Sequence, residues 1–121
     1  MDQETMKKIK EKVKGKKLLV LGAGPNEVPL VKRARLLGCH VTVTDNNTDR
    51  SLSPCKRLSD EYWDISWSDI PSLADACRES GIDGVTAGWS EIRTDSLIKL
   101  CDALKLPCYC SMAQLRAIRD K

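Results

Sequence analysis

The stretch Lys17-Leu18-Leu19-Val20-Leu21-Gly22-Ala23-Gly24-Pro25-Asn26-Glu27 leaves few folds open to this chain. A short apolar run stops at two glycines and a proline, and a helical pattern starts directly after it. That is the pattern of a buried parallel strand turning tightly into a helix. Gly22 and Gly24 remove side chains where the backbone must bend and where another molecule can come close to it. The amides that open the following helix point into the gap, with the positive end of the helix dipole behind them. A small-molecule site is expected here, at the carboxyl end of the first strand.

The same alternation continues along the chain. Met6, Ile9 and Val13 recur at helical spacing, so residues 3–14 read as an amphipathic helix that Gly15 ends; residues 1–15 form a separate N-terminal helical segment. After the strand at 18–21, Val28, Val31, Ala34 and Leu37 share one face of a helix over 26–37, and Gly38 stops it. His40-Val41-Thr42-Val43-Thr44 is a β-branched strand closed by Asp45. Residues 46–56 are polar and turn-rich and read as a mobile loop. A short strand is expected at 61–63, a helix over 70–80 capped by Ser68 or Asp69 and stopped by Gly81, and a strand at 83–87. Gly88-Trp89-Ser90-Glu91 forms a second strand-to-helix turn, followed by a helix over 91–104 that buries Leu97, Leu100, Cys101 and Leu104. A last strand at 107–110 and a helix from Ser111 through 118 complete a βαβ series. The fold class is α/β, with three layers (α/β/α) around a mostly parallel sheet of four to five strands.

Composition narrows the function classes. Of 121 residues, 41% are hydrophobic and 31% charged, ordinary for a globular domain with a real core. No run approaches the ~18 apolar residues of a membrane-spanning helix, and no apolar h-region follows the N-terminus, so a cytoplasmic protein that touches no membrane is expected. The net charge of +3 comes largely from lysines between positions 7 and 17, with no aromatic residue among them. A solvated helix face is the reading, and no nucleic acid is expected as a partner. Cys39, Cys77 and Cys101 lie on or beside apolar faces and read as reduced, structural thiols. Cys108 and Cys110 share one face of the last strand, and with a single histidine in the chain no metal site is expected. His40 stands alone, so no nucleophilic triad or dyad forms and no catalytic residue is assigned.

The glycine turn supplies the first two glycines of the G-x-G-x-x-G dinucleotide fingerprint, and Asp45, 21 positions after Gly24, stands where an acid would hold a ribose hydroxyl. The third glycine position is occupied by Glu27. A carboxylate there repels a pyrophosphate at the same helix N-terminus.

A family resemblance is carried by these and later segments. Residues 21–45, Leu-Gly-Ala-Gly-Pro-Asn-Glu-Val-Pro-Leu-Val-Lys-Arg-Ala-Arg-Leu-Leu-Gly-Cys-His-Val-Thr-Val-Thr-Asp, resemble the opening of ATP-grasp ligases of the carbamoyl-phosphate synthase-like group. Residues 82–92 resemble the turn after their fourth strand, and residues 104–110 with the following helix resemble the end of their first domain. Lys105 departs from the pattern, since relatives often carry a helix-ending glycine there. The resemblance covers 16–121 and implies a Rossmann-like pre-ATP-grasp domain, cut before the ATP-binding lobes. It implies the substrate-side N-terminal domain of a carboxylate–amine ligase, not catalytic alone. Its partners would be the ATP-grasp lobes, in the same or a separate chain, and a small-molecule acceptor. No cofactor is expected in this chain; ATP and magnesium belong to the full enzyme. By that likeness Gly22, Gly24, Pro25, Asn26, Glu27, Asp45, Asn46, Trp89, Ser90 and Glu91 face the acceptor, with Glu27 or Glu91 accepting a hydrogen bond from an amine. An orphaned domain interface favours a homodimer. Two alternatives stand beside this reading: a free-standing NAD- or nucleotide-binding Rossmann module, and a structural docking domain.

Overall fold

The computed structural model describes residues 3, 4, 7, 11, 14–49, 51–87 and 91–106, with the backbone alone at 91–94. Residues 3, 4, 7 and 11 are helical. The strand expected at 107–110 and the helix expected at 111–118 lie outside the described residues.

Among the described residues four strands form one sheet: β1 (Lys17–Leu21), β2 (His40–Thr44), β3 (Glu61–Trp63) and β4 (Gly84–Thr86). Every pairing is parallel, and the order is β3-β2-β1-β4. Period-2 alternation divides β1 between two cores. Leu19 and Leu21 pack with Leu73 and Cys77 of α3 (Ile70–Ser80) and with Leu97, Leu100 and Cys101 of α4 (Glu91–Leu104). Val20 packs on the opposite face with Val41, Val43, Cys55, and Val31 and Ala34 of α1 (Val28–Leu36). Helices therefore cover both faces, the three-layer arrangement that parallel strands need to bury themselves. Trp63 and Trp67 pack against the first core.

Two local details differ from the sequence reading. The helix expected over 26–37 opens as a 3₁₀ turn at Pro25–Glu27 before α1 begins. Pro25 has no amide to give, and the Glu27 amide donates to the Gly24 carbonyl at 3.1 Å, which sets the tighter turn. The stretch read as a mobile loop ends in a helical turn, α2 (Cys55–Leu58), led by Pro54. Elsewhere the punctuation holds. Asp69 caps α3 by accepting the Ser72 amide at 3.3 Å, and Gly81 ends that helix at φ +68°. At the end of α4 the amides of Lys105 and Leu106 donate to the carbonyls of Asp102 (3.2 Å) and Cys101 (2.9 Å). This closure puts Lys105 at φ +57°, where a glycine normally sits.

The chain builds β1, β2 and β3 in one direction and then crosses back to place β4 on the other side of β1. This reversal makes a switch point between the carboxyl ends of β1 and β4, the place where open α/β sheets form a crevice.

A candidate acceptor site at the switch point

The glycine turn leaves β1 directly at that crevice. Gly22 has φ +120°, a conformation closed to L-residues, while its amide extends the β1–β2 ladder to the Thr44 carbonyl at 2.9 Å. Gly24 is different: its φ of −77° suits any residue. Its lack of a side chain matters for space, because a Cβ there would lie 3.3 Å from Oε2 of Glu27. Pro25 and Asn26 are exposed on the outer rim of the turn. Glu27 is 4% exposed and sits where the 3₁₀ turn passes into α1, so its carboxylate faces the positive end of the helix. The position that a dinucleotide site keeps clear for phosphate is thus filled by the chain's own carboxyl group.

The carboxyl end of β2 is filled by side chains. Asp45 is 7% exposed, and both of its oxygens are engaged. Oδ2 accepts from Ser53 Oγ at 2.7 Å; Oδ1 accepts from the Asn47 amide at 3.0 Å and pairs with Lys56 Nζ at 2.8 Å. Lys56 has a wholly buried side chain. Its ammonium also pairs with Asp64 at 2.7 Å, donates to the Asn47 carbonyl, and lies 5.9 Å from the Tyr62 ring centre. Burial by itself lowers the Lys56 pKa, but the hydrogen bonds to Asp45 and Asp64 outweigh it and raise the pKa above the usual lysine value. The ammonium is therefore charged throughout the neutral range.

Cys55, next to this ion pair, ties the two regions together. Its amide donates to the Ala23 carbonyl at 3.1 Å and its thiol to the Gly24 carbonyl at 3.2 Å. Burial pushes the Cys55 thiol up to about 11, with the Asp45 charge adding to the effect. The four cysteines among the described residues, Cys39, Cys55, Cys77 and Cys101, are in no disulfide.

Of the ten residues picked from the sequence, Gly22, Gly24, Pro25, Asn26 and Glu27 lie together in the turn. Asp45 and exposed Asn46 lie at the end of the neighbouring strand β2. Trp89, Ser90 and the Glu91 side chain fall outside the described residues. The topology brings Ala87, the last described residue before them, beside the glycine turn, because Val20 of β1 pairs with Thr86 of β4. Sequence reasoning missed Ser53, Cys55, Lys56 and Asp64. The available signal was Pro54 before Cys-Lys-Arg-Leu, a helix start inside a polar stretch.

No protein-family profile matches the chain. Among curated proteins, the UDP-N-acetylmuramoylalanine–D-glutamate ligase of Ligilactobacillus salivarius is 44% identical over 54 residues, 45% of this chain and 12% of that protein. Among solved structures, phosphoribosylglycinamide synthetase from Anaerococcus prevotii superposes with a TM-score of 0.62 at 30% identity, over 73% of this chain and 22% of that one. N5-carboxyaminoimidazole synthetase from Staphylococcus aureus, solved with ADP, gives 0.66 at 21% identity, over 88% and 26%. N5-carboxyaminoimidazole ribonucleotide synthetase from Thermotoga maritima gives 0.57 at 28%, over 72% and 23%. The chain thus spans about a quarter of the length of these solved relatives and about an eighth of the curated one. Among the described residues no helix is long and apolar enough to cross a membrane. With its parallel sheet, the reversal of strand order at β1 and these superpositions on the solved structures, the chain has the fold of a pre-ATP-grasp domain, a Rossmann-like α/β unit.

Proposed function

We propose that this domain forms the acceptor side of a carboxylate–amine ligase and receives the amine of a small phosphorylated sugar acceptor at the glycine turn. The observation that carries the reading is the buried Glu27 carboxylate inside the turn. A negative group at the helix N-terminus disfavours a phosphate there and favours an ammonium or a neutral amine donor. The sugar phosphate is suggested by the names of the relatives, which share a phosphoribosyl, ribonucleotide or UDP-sugar portion. Among the described residues no three His, Cys, Asp or Glu side chains gather as metal ligands. The reading assigns ATP and magnesium to the ATP-grasp lobes rather than to this domain. The domain alone would position an acceptor without ligating it.

The dinucleotide alternative loses support at Asp45. A ribose hydroxyl would have to displace Ser53 or the Lys56 ammonium from a carboxylate already engaged on both oxygens.

The test is a titration of the isotope-labelled chain followed by backbone amide shifts. Glucosamine 6-phosphate should move the Gly22 and Gly24 signals, glucose 6-phosphate should not, and Glu27→Gln should abolish the response. Equal responses to both sugars, a response to neither, or an NAD response that survives Glu27→Gln would overturn the reading.

A further inference from the structure

The mechanism just proposed leaves a large investment unexplained. Lys56 has a fully buried side chain whose ammonium is held between Asp45 and Asp64. Burying an ammonium is costly unless its geometry and partners offset the loss of water. Here the partners come from both ends of one segment. Asp45 and Asn47 begin it, Lys56 ends it, and Asp64 lies just beyond. Ser53 adds a second tie to Asp45 at 2.7 Å. The start of this segment, at Asp45 and Asn47, is thereby tied to its end, at Ser53 and Lys56, as the ends of an Ω-loop meet. At the tip, Asp49 accepts both the amide and the hydroxyl of Ser51, at 2.9 and 2.7 Å.

What the closed loop delivers is Cys55. Next to Lys56 in sequence and 0% exposed, Cys55 holds the carbonyls of Ala23 and Gly24 in the middle of the glycine turn. We infer that Lys56 is a positioning residue for the acceptor site: its ammonium clasps the 45–56 loop shut so that Cys55 fixes the shape of the glycine turn. The inference rests on the acceptor reading only for the reason the turn's shape matters; the clasp itself is measurable without any ligand.

The experiment uses the Cys55 thiol as the reporter. Cys77 is 2% exposed on the opposite face of the sheet, and burial also pushes its thiol up to about 11, so it serves as the control for opening of the whole domain. Thiol modification by N-ethylmaleimide at pH 8 is followed residue by residue with mass spectrometry. The subject is the paired variant Asp45→Asn with Lys56→Met, which leaves no unpaired buried charge and so avoids gross unfolding. The expected result is Cys55 labelling at least about tenfold faster than in the native chain, with Cys77 unchanged. Lys56→Arg, which keeps the charge, should restore slow labelling of Cys55 at least in part. Unchanged Cys55 labelling would overturn the inference. Cys55 and Cys77 rising by the same factor would also overturn it, since Lys56 would then support the domain as a whole rather than the turn. The fold of the paired variant is checked by its circular dichroism. If it does not fold, the same labelling comparison with Ser53→Ala, which removes only one tie of the loop, decides: a selective rise at Cys55 supports the clasp and no rise overturns it. The sugar titration is independent, so a chain that fails to bind glucosamine 6-phosphate but shows selective Cys55 labelling separates the two readings.

Discussion

The carboxyl ends of β1 and β2 are adjacent in one sheet and built on opposite principles. After β1 the chain removes matter: Gly22 adopts a φ of +120°, and Gly24 clears the space in front of Glu27. After β2 the chain adds matter: Asp45, Ser53, Lys56 and Asp64 fill the end of the strand with their own ion pairs. Both ends carry a buried acid. The acid in the glycine turn borders the crevice, and the acid after β2 is held inside the fold by Ser53, Asn47 and Lys56. A carboxylate at the spacing of a ribose-binding acid is therefore no evidence of ligand binding until its partners are known.

The comparison breaks most severely at Lys56. Lys56→Met leaves Asp45 buried without a counter-ion and should cost ~3–5 kcal/mol by urea unfolding, as for other broken buried pairs. Adding Asp45→Asn to it should recover most of that loss, because the unpaired charge is gone. A double variant as unstable as Lys56→Met would mean that the lysine's packing, not its charge, holds the loop.

At the β1 end the cost is conformational. Gly22→Ala forces an L-residue into a glycine-only region and should destabilise by roughly 1–3 kcal/mol. Gly24→Ala has an ordinary φ and meets only the end of the Glu27 side chain, so its loss should stay below about 1 kcal/mol. If the two glycines respond alike in thermal unfolding, the division of labour within the turn is wrong.

High pH should weaken the filled end and the opposite core over the same range. The Cys55 thiol is raised from 9.0 to about 11, so the folded state keeps its proton longer than the unfolded chain. Stability from this group is complete below pH 9 and falls as pH rises from 9 towards 11. Lys56 has the same sign: its pKa is raised, so its contribution is lost above the usual lysine value of 10.5. Cys77, raised for the same reason of burial, adds to the decline. Urea midpoints at pH 8 and pH 10.5 should differ, and Cys55→Ala should flatten part of that difference.

The smallest expected change is a gain. Lys105→Gly relieves a left-handed lysine at the end of α4 and should stabilise by up to ~1 kcal/mol, read as a rise in Tm. Helix α3 ends with a glycine at the equivalent position and offers no such gain. The departure at Lys105, visible in the sequence against the resemblance, thus has a conformational cost.

Much of the fold was legible because its signals are local. The strand-glycine-helix passage at 17–28, the glycine stops at Gly38 and Gly81, and the Asp69 cap each depend on residues a few positions apart, so periodicity and backbone freedom suffice to find them. The glycine turn was legible as a candidate site for the same reason. Tertiary structure alone decided the rest. It placed β4 beside β1 rather than β3, and so located the crevice. It also turned residues 46–56 from an expected mobile loop into a closed one. Nothing near Lys56 in sequence announces burial; its stability there comes from Asp45, eleven positions before it, and Asp64, eight after, which only the folded sheet brings within 2.8 Å of its ammonium. Short-range geometry is written in residue order, whereas the balance between desolvation and charge pairing is settled only when distant groups share one dry space.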